Sequence, residues 1–328
     1  MHDASAARIA VVCACLLLAS GCGLLPLAAG QLSLINDQLP LSAAIAREPD
    51  PARRRLLSEV PAILAFAEDV VGLRAGTSYQ GYFETERSGM TYVVTACERT
   101  RFVPYTWWFP IVGTVEYRSY WDEADARAAA DELEAKGYDT WVSPSRAYSS
   151  LGILRDPVAT TMLHDGLPGL AEVLIHELSH ARLFVPGQTA WNEALASFVG
   201  ERGAEQYFSA QRFAGSSYQR QAQLRAQRRQ IFDQLVKDAY AELDALYASE
   251  LADERKLTLR QARFSALTTQ LRQLYPDDPQ RDLRINNARL VHFHRYSATG
   301  PAIAQLWAKS AGSFHRFWLL AEAQAKTL

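Results

Sequence analysis

The chain has 328 residues, 48% of them hydrophobic and 21% charged, with a formal net charge of -2. That length and apolar content predict a globular protein with a substantial core, enough for one large domain or two small ones. The charge balance gives no general attraction to nucleic acid or to an anionic surface.

The segment MHDASAARIAVVCACLLLASGC carries one clear positive charge, Arg8, ahead of an apolar run from Ile9 to Ala19. That run is too short to span a bilayer stably and has the anatomy of a signal peptide, placed over residues 1–21. It ends in Leu18-Ala19-Ser20-Gly21-Cys22, which is similar to a bacterial lipobox, with Ala19 where the usual pattern has leucine. Cys22 is then expected to carry lipid and to anchor residues 22–328 to a membrane, facing the periplasm. Gly23 follows it rather than the aspartate associated with inner-membrane retention, which favours the outer membrane. A conventionally cleaved signal or a short buried helix is the alternative. Cys13 and Cys15 leave with the signal, so Cys97 alone remains and no internal disulfide is expected. In TYVVTACERT, Cys97 reads as a buried strand residue rather than a nucleophile.

Beyond the anchor, Leu32 to Ile45 is an apolar helical stretch interrupted by Pro40, and Arg53 to Val71 is periodic after Pro49 and Pro51. From Tyr79 the composition turns β-branched and aromatic through YQGYFE, MTYVVTAC, PYTWWFPIVGTVEYRSYW and YDTWVSP, predicting a small mixed sheet. An alanine-rich helix over 122–137, opened by acids and closed by Gly137, interrupts it. Helices are expected over Gly169 to Phe184 and Ala190 to Phe208. The arginine-rich stretch Tyr218 to Tyr275 predicts a long antiparallel helical hairpin that reads as a solvated scaffold. Its basic run at 219–230 is followed at once by Asp233, Asp238, Glu242 and Asp244, so no nucleic-acid partner is expected. The expectation is an α+β fold in a single domain over 22–328, its sheet and central helices in 79–210 and its helical part in 211–328.

The helix over 169–184 contains HELSH, residues 176–180. Residues four apart share a helix face, so His176 and His180 can present two imidazoles to one ion. Glu177 is displaced by about 100° from His176, which puts its carboxylate beside a metal's water rather than on the metal. That is the division of labour zinc hydrolysis needs, with the metal acidifying water and a carboxylate carrying its proton to the leaving amine. Leu170, Leu174 and Leu178 form an apolar stripe that can anchor the helix away from the histidines. A pair of core histidines is the bland reading.

A catalytic zinc also needs a third protein ligand and one open position. Trp191-Asn192-Glu193 opens the next helix and resembles the third-ligand helix of the gluzincin peptidases, which implies Glu193 as that ligand. The connection from His180 is shorter than in familiar gluzincins, and Gly187 permits the tight turn this requires. Glu201 and Glu205 stand as alternatives, with Glu172 behind them. Ser197 occupies the place where thermolysin-like enzymes carry an aspartate, leaving the partner of the zinc histidines open.

FPIVGTVEYRSYWD at 109–122, AYSSLGILRDP at 147–157, HELSH, WNEALASF and INNARL at 285–290 together resemble the zinc aminopeptidase family of Gram-negative envelope lipoproteins, over nearly the whole mature chain. The resemblance implies a zincin-like fold, one Zn²⁺ ion on His176, His180 and Glu193, Glu177 as general base, and a peptide substrate. It implies a substrate-pairing edge strand at Tyr148, Ser149, Ser150 and Gly152, for which a core strand is the alternative. It also implies a downstream oxyanion donor, with Tyr296 the first choice and His294 the second. The amine-anchoring GxMEN sequence of gluzincin aminopeptidases is missing, and no other acid takes its place in the sequence. A zinc endopeptidase and a non-catalytic zinc-binding envelope lipoprotein are the rival functions; an intact Glu177 argues against the latter. Replacing the thiol in Cys22→Ser should block lipid modification and release the protein from membranes. Retention in the membrane fraction at unchanged mobility would exclude the lipid anchor.

Overall fold

The computed structural model describes residues 30, 34 and 36–328, apart from 110–112, 148–149, 151–153, 277–283 and 299, and leaves aside the side chains of 295–298. The expected signal peptide and Cys22 lie outside the described residues, as do Tyr148, Ser149 and Gly152. About 63% of the described residues are helical and the fold is α+β.

The lead-in follows its breakers. Leu39–Pro40 forms a two-residue strand, β1, and Pro40 then precedes helix α1, Leu41–Arg47. Pro51 opens helix α2, Pro51–Phe66, where its missing N–H costs nothing. The Asp50 side chain accepts from Ala52 N at 2.9 Å and caps the first turn. The periodicity expected to run on to Val71 ends instead in a wider turn over Ala67–Val71.

The β-rich region corrects the expectation of one sheet, because the described strands form three. Strand β2, Gly81–Phe83, pairs antiparallel with β1 and parallel with β8, Val158–Ala159. Strand β3, Tyr92–Glu98, lies between β6, Arg118–Tyr120, and β7, Tyr138–Pro144, all antiparallel. Strands β4, Trp107–Phe109, and β5, Gly113–Val115, make a separate hairpin. Most of these runs are three residues or fewer between breakers, too short to extend one continuous ladder, and only β3 and β7 pair over seven residues.

Strand alternation decides what each face of the β6-β3-β7 sheet does. Tyr92, Val94 and Ala96 pack on helix α3, Glu123–Ala135, through Ala126, Ala130 and Leu133. Thr91 and Val93 point to the opposite side, towards a large cleft. Cys97 shares that second side and is buried against Ala288 and Val291. Burial pushes its thiol up to about 12, with Asp139 and Glu98 adding to the effect, which keeps it an inert core group as expected.

The remaining described elements are helices: α4, Gly166–Arg182; α5, Thr189–Ser209; α6, Ser217–Ala248; α7, Asp253–Leu274; α8, Asn287–Ala298; α9, Gly300–Lys309; and α10, Phe314–Ala325. The expected hairpin is α6 with α7, packed through Phe232, Val236 and Leu243 against Phe264, Leu267 and Leu271. Among the described residues no helix is long and apolar enough to cross a membrane.

Helix α4 sits in the main core on its predicted stripe, with Leu170 and Leu174 at 0% exposure and Leu178 at 3%. Helix α5 crosses it at backbone contact. A Cβ on Gly200 would lie 2.8 Å from the carbonyl oxygen of Glu172 and 3.2 Å from the His176 Cβ. Since the first of these neighbours is main chain, only glycine allows the approach. Gly200→Ala should therefore push the two helices apart at a cost of about 1–3 kcal/mol, the range for overpacking. Thermal unfolding should fall by several degrees and metal affinity should fall with it; an unchanged melting temperature would show that the helices have room.

Candidate functional site

The α4–α5 crossing brings the two halves of the sequence motif together. His176 and His180, one turn apart on α4, place their Nε2 atoms 3.2 Å from each other. Glu193, in the second turn of α5, approaches with its carboxylate oxygens 3.6 Å from His176 Nε2 and 3.8 Å from His180 Nε2. One donor atom from each residue falls within a 4.8 Å group, so the three could hold a metal ion. Tetrahedral zinc with donors at about 2.0–2.1 Å separates neighbouring donors by about 3.3–3.4 Å. The spacings present match that arrangement with little adjustment.

The shortened connection is closed by Asn192. Its side-chain oxygen accepts from Val185 N at 2.9 Å and its amide donates to Val185 O at 2.8 Å. Gly187 takes φ +78°, and Gln188 N donates back to Val185 O at 3.1 Å. This is the tight turn expected of Gly187. The asparagine beside the candidate ligand thus ties the loop to the start of α5 and aims Glu193.

Electrostatics favour the metal-binding forms of His180 and Glu193. Burial, reinforced by neighbouring His176, lowers His180 to about 4, so the ring is neutral at physiological pH. Burial works against ionisation of Glu193, but the adjacent His176 and His180 outweigh it and hold the carboxyl at about 2. For His176 burial pulls downward, while Glu193, Glu177 and Glu172 raise it overall. A cation entering the group meets one carboxylate and two imidazoles, a donor set suited to zinc. His180 Nδ1 is buried without a hydrogen-bond partner among the described residues, and Ser197, one turn beyond Glu193, makes no hydrogen bond to either ring. The hydroxyl therefore does not replace the missing aspartate.

The rival ligands are engaged elsewhere. Glu201 accepts from Arg229 Nε at 2.8 Å, Glu205 from Arg202 Nη1 at 2.6 Å, and Glu172 from Arg225 at 2.8 Å. Arg225 also reaches Asp165 at 3.2 Å, and Arg146 pairs with the same carboxylate. Arg225, Arg229, Phe232 and Asp233 of α6 line the cleft, so the arginine-rich helix is a wall of the site and not the solvated scaffold expected.

That cleft, about 540 Å³, holds His176, Glu177, His180 and Glu193 on one side, and Tyr117, Ser119, Thr91 and Val93 of the sheet region on another. Glu177 thus faces the same space as the donor group. Buried Tyr79 takes φ +63°. Burial pushes its phenol far above its ordinary range, with the charges of Glu177 and Asp156 adding to the rise.

Helix α8 carries the downstream candidates. His292 lines the cleft, and its charge influences Glu193. His294 stacks on Tyr240 of α6, ring centroids 3.8 Å apart and 11° from parallel, which removes it from the site. Tyr296 lies in α8, but its side chain is outside the described residues. The sequence singled out Tyr296 and His294; His292, two residues before His294, is the histidine of this helix that lines the cleft.

INNARL sets that phase. Asn287 N donates to Asp139 at 3.0 Å, its amide donates to the Glu98 and Arg99 carbonyls, and Tyr247 OH donates to its side-chain oxygen at 2.7 Å. Arg260 closes the nexus on Asp139 at 2.7 and 3.1 Å. In AYSSLGILRDP, Asp156 accepts from Ser150 N at 3.1 Å. Ser150 is the described member of the expected substrate strand, and it belongs to no strand here.

Two helices with an HExxH pair, a facing glutamate and an open cleft define a chain with a candidate metal centre of hydrolase type. The chain belongs to the family described as Putative aminopeptidase, whose model matches residues 24–327. No curated protein and no solved structure matches it.

Metal titration separates the ligand assignments. Glu193→Ala should abolish tight zinc binding, Asn192→Ala should weaken it by about 10- to 100-fold through loss of aim, and Glu201→Ala should leave it nearly intact. Zinc affinity of the three variants, with circular dichroism as a folding control, checks this, and an exchange of the Glu193 and Glu201 results would move the third ligand.

Proposed function

We propose that the protein is a zinc-dependent peptidase of aminopeptidase type, carried at the cell envelope on lipid at Cys22 and facing the periplasm at the outer membrane. The observation that carries the catalytic part is the convergence of His176, His180 and Glu193 on one point in a cleft that Glu177 also faces. Family membership supports a peptide substrate. The arrangement of α4 across α5 is compatible with a zincin-like fold.

His176, His180 and Glu193 would hold the zinc, which when bound would supply Lewis acidity and make an attacking water more acidic. Glu177 follows His176 on the helix and so projects beside the ligands instead of joining them. It takes the proton of the attacking water and returns it to the departing amine, the general acid–base step of peptide hydrolysis. His292, on the facing helix, is placed to donate a hydrogen bond to the oxygen that gains negative charge as the carbonyl is attacked. Tyr117 stands on the sheet side of the same space. The buried helix pair and the ion pairs on α6 hold these groups in place before substrate arrives.

Glu177→Gln keeps the size and hydrogen-bonding capacity of the side chain but cannot take a proton. It should retain zinc and fold while lowering turnover by about 10² or more. His292→Ala should bind zinc and substrate yet lose about 10² in kcat, as for a removed oxyanion donor. Steady-state hydrolysis of a peptide panel by the zinc-loaded variants is the measurement. Full activity in metal-loaded Glu177→Gln would remove the residue from the mechanism.

A further inference from the structure

Among the described residues the cleft is lined by four carboxylates, and three are accounted for. Glu193 belongs to the donor group, Glu177 sits beside it, and Glu172 is held by Arg225. The fourth is Asp233, on the α6 face that also presents Arg225, Arg229 and Phe232. Asp233 is partly buried and makes no hydrogen bond and no ion pair among the described residues. Arg229, one turn earlier on the same helix, is committed to Glu201 at 2.8 Å. It reaches Asp233 only through the field, as does Lys237. A partly buried carboxylate without a bonded partner loses hydration that no described residue replaces.

The cations of the cleft tell the opposite story. Arg225 is paired with Glu172 and Asp165, Arg229 with Glu201, and Arg146 with Asp165. Their positive charge is already neutralised, so the wall does not call for an acidic ligand. Among the described residues no cation donates a hydrogen bond to Asp233, and Arg229 and Lys237 act on it only at a distance. An ammonium supplies three donors and one positive charge, the complement of a lone carboxylate. The helix next to Asp233 is locked to the site: Phe232 meets Phe293 edge-on at 4.9 Å, and Phe293 follows His292.

We propose that Asp233 anchors the free α-ammonium of a peptide substrate and so selects chain ends over internal bonds. The assignment rests on the peptidase reading for the identity of the ligand as a peptide, but not on turnover. It supplies, from the helical hairpin, the amine-recognising acid for which the sequence offers no motif. Asp233 acts here as a specificity residue, bonding a part of the substrate that does not react. Binding energy at the amine would fix how far the chain enters and therefore which carbonyl reaches Glu177 and the donor group.

The test measures binding alone. Calorimetry on zinc-loaded, full-chain Glu177→Gln compares one short neutral peptide with its N-acetylated form, and the comparison is repeated in Glu177→Gln/Asp233→Asn. The free peptide should bind about tenfold or more tightly than the acetylated one in the first protein, as expected for a charge-assisted hydrogen bond. The ratio should fall close to one in the second. Because both peptides sample the same folded fraction, partial unfolding of the double variant cannot change the ratio. Equal binding of the two peptides by Glu177→Gln overturns the proposal, as does a preference for the free amine that survives Asp233→Asn, or no binding of either peptide. Failure of the peptidase reading gives a different result: the wild-type protein would cleave neither peptide while the amine preference and its loss in the double variant remained.

Discussion

Everything in the site depends on how closely α5 approaches α4, and main-chain contact at Gly200 sets that approach. With the Gly200 Cα against the Glu172 carbonyl and the His176 Cβ, α5 lies almost directly on the helix that carries both histidines. A carboxylate only two carbons beyond its Cβ can then span from one backbone to the imidazoles of the other. The distances of 3.6 and 3.8 Å from Glu193 to the two rings are the outcome. Asn192 fixes the remaining freedom, since its paired hydrogen bonds to Val185 stop the first turn of α5 from fraying away from the loop. A short connection is therefore no obstacle to ligation, because it replaces reach with rigidity.

What the sequence made legible follows from interactions that are local. His176, Glu177 and His180 were readable because helical spacing alone puts them in relation to one another, and Leu170, Leu174 and Leu178 confirmed which way the helix faces. Glu193 was readable from its neighbours Trp191 and Asn192, although their mechanical role was not. His292 and Asp233 were not readable. Each sits on a helix whose phase is set by contacts far away in sequence: the Asn287–Asp139–Arg260 nexus for α8, and the Glu172 and Glu201 ion pairs for α6. Two positions on, His294 points about 200° round the helix and meets Tyr240 instead of the cleft. The division of the β region into three small sheets was equally hidden, because short β-rich runs state their propensity but not their partners.

The charges of α6 show how a helix with many arginines becomes part of an interior. Arg225 and Arg229 each meet a carboxylate on α4 or α5, and those carboxylates lie within three to four residues of positions that carry or flank the site. Burial works against ionisation of Glu172, and Arg225 and Arg229 more than restore it, so its carboxyl stays below the usual range. Such pairs contribute little net stability once their desolvation is counted. Their geometric demand is stricter, since losing either member would leave a buried charge alone. The pairs fix the distance between α6 and the donor helices, and with it the width of the cleft.

Motifs that suggest a resemblance are often taken as a list of catalytic residues, and this structure separates the two. HELSH and WNE contribute the donor group and the candidate base. INNARL contributes none of these: Asn287 is fully buried and binds two carbonyls, a carboxylate and a phenol. RDP provides Asp156, whose carboxylate holds the backbone of Ser150 while its own carbonyl accepts from Tyr79 N. A buried polar group tolerates few substitutions, since each replacement strands its partners without hydrogen bonds. Asn287 is thus as constrained as a ligand while standing apart from the chemistry. Its effect on the site passes through α8, where it sets the rotation that turns His292 rather than His294 towards Glu193.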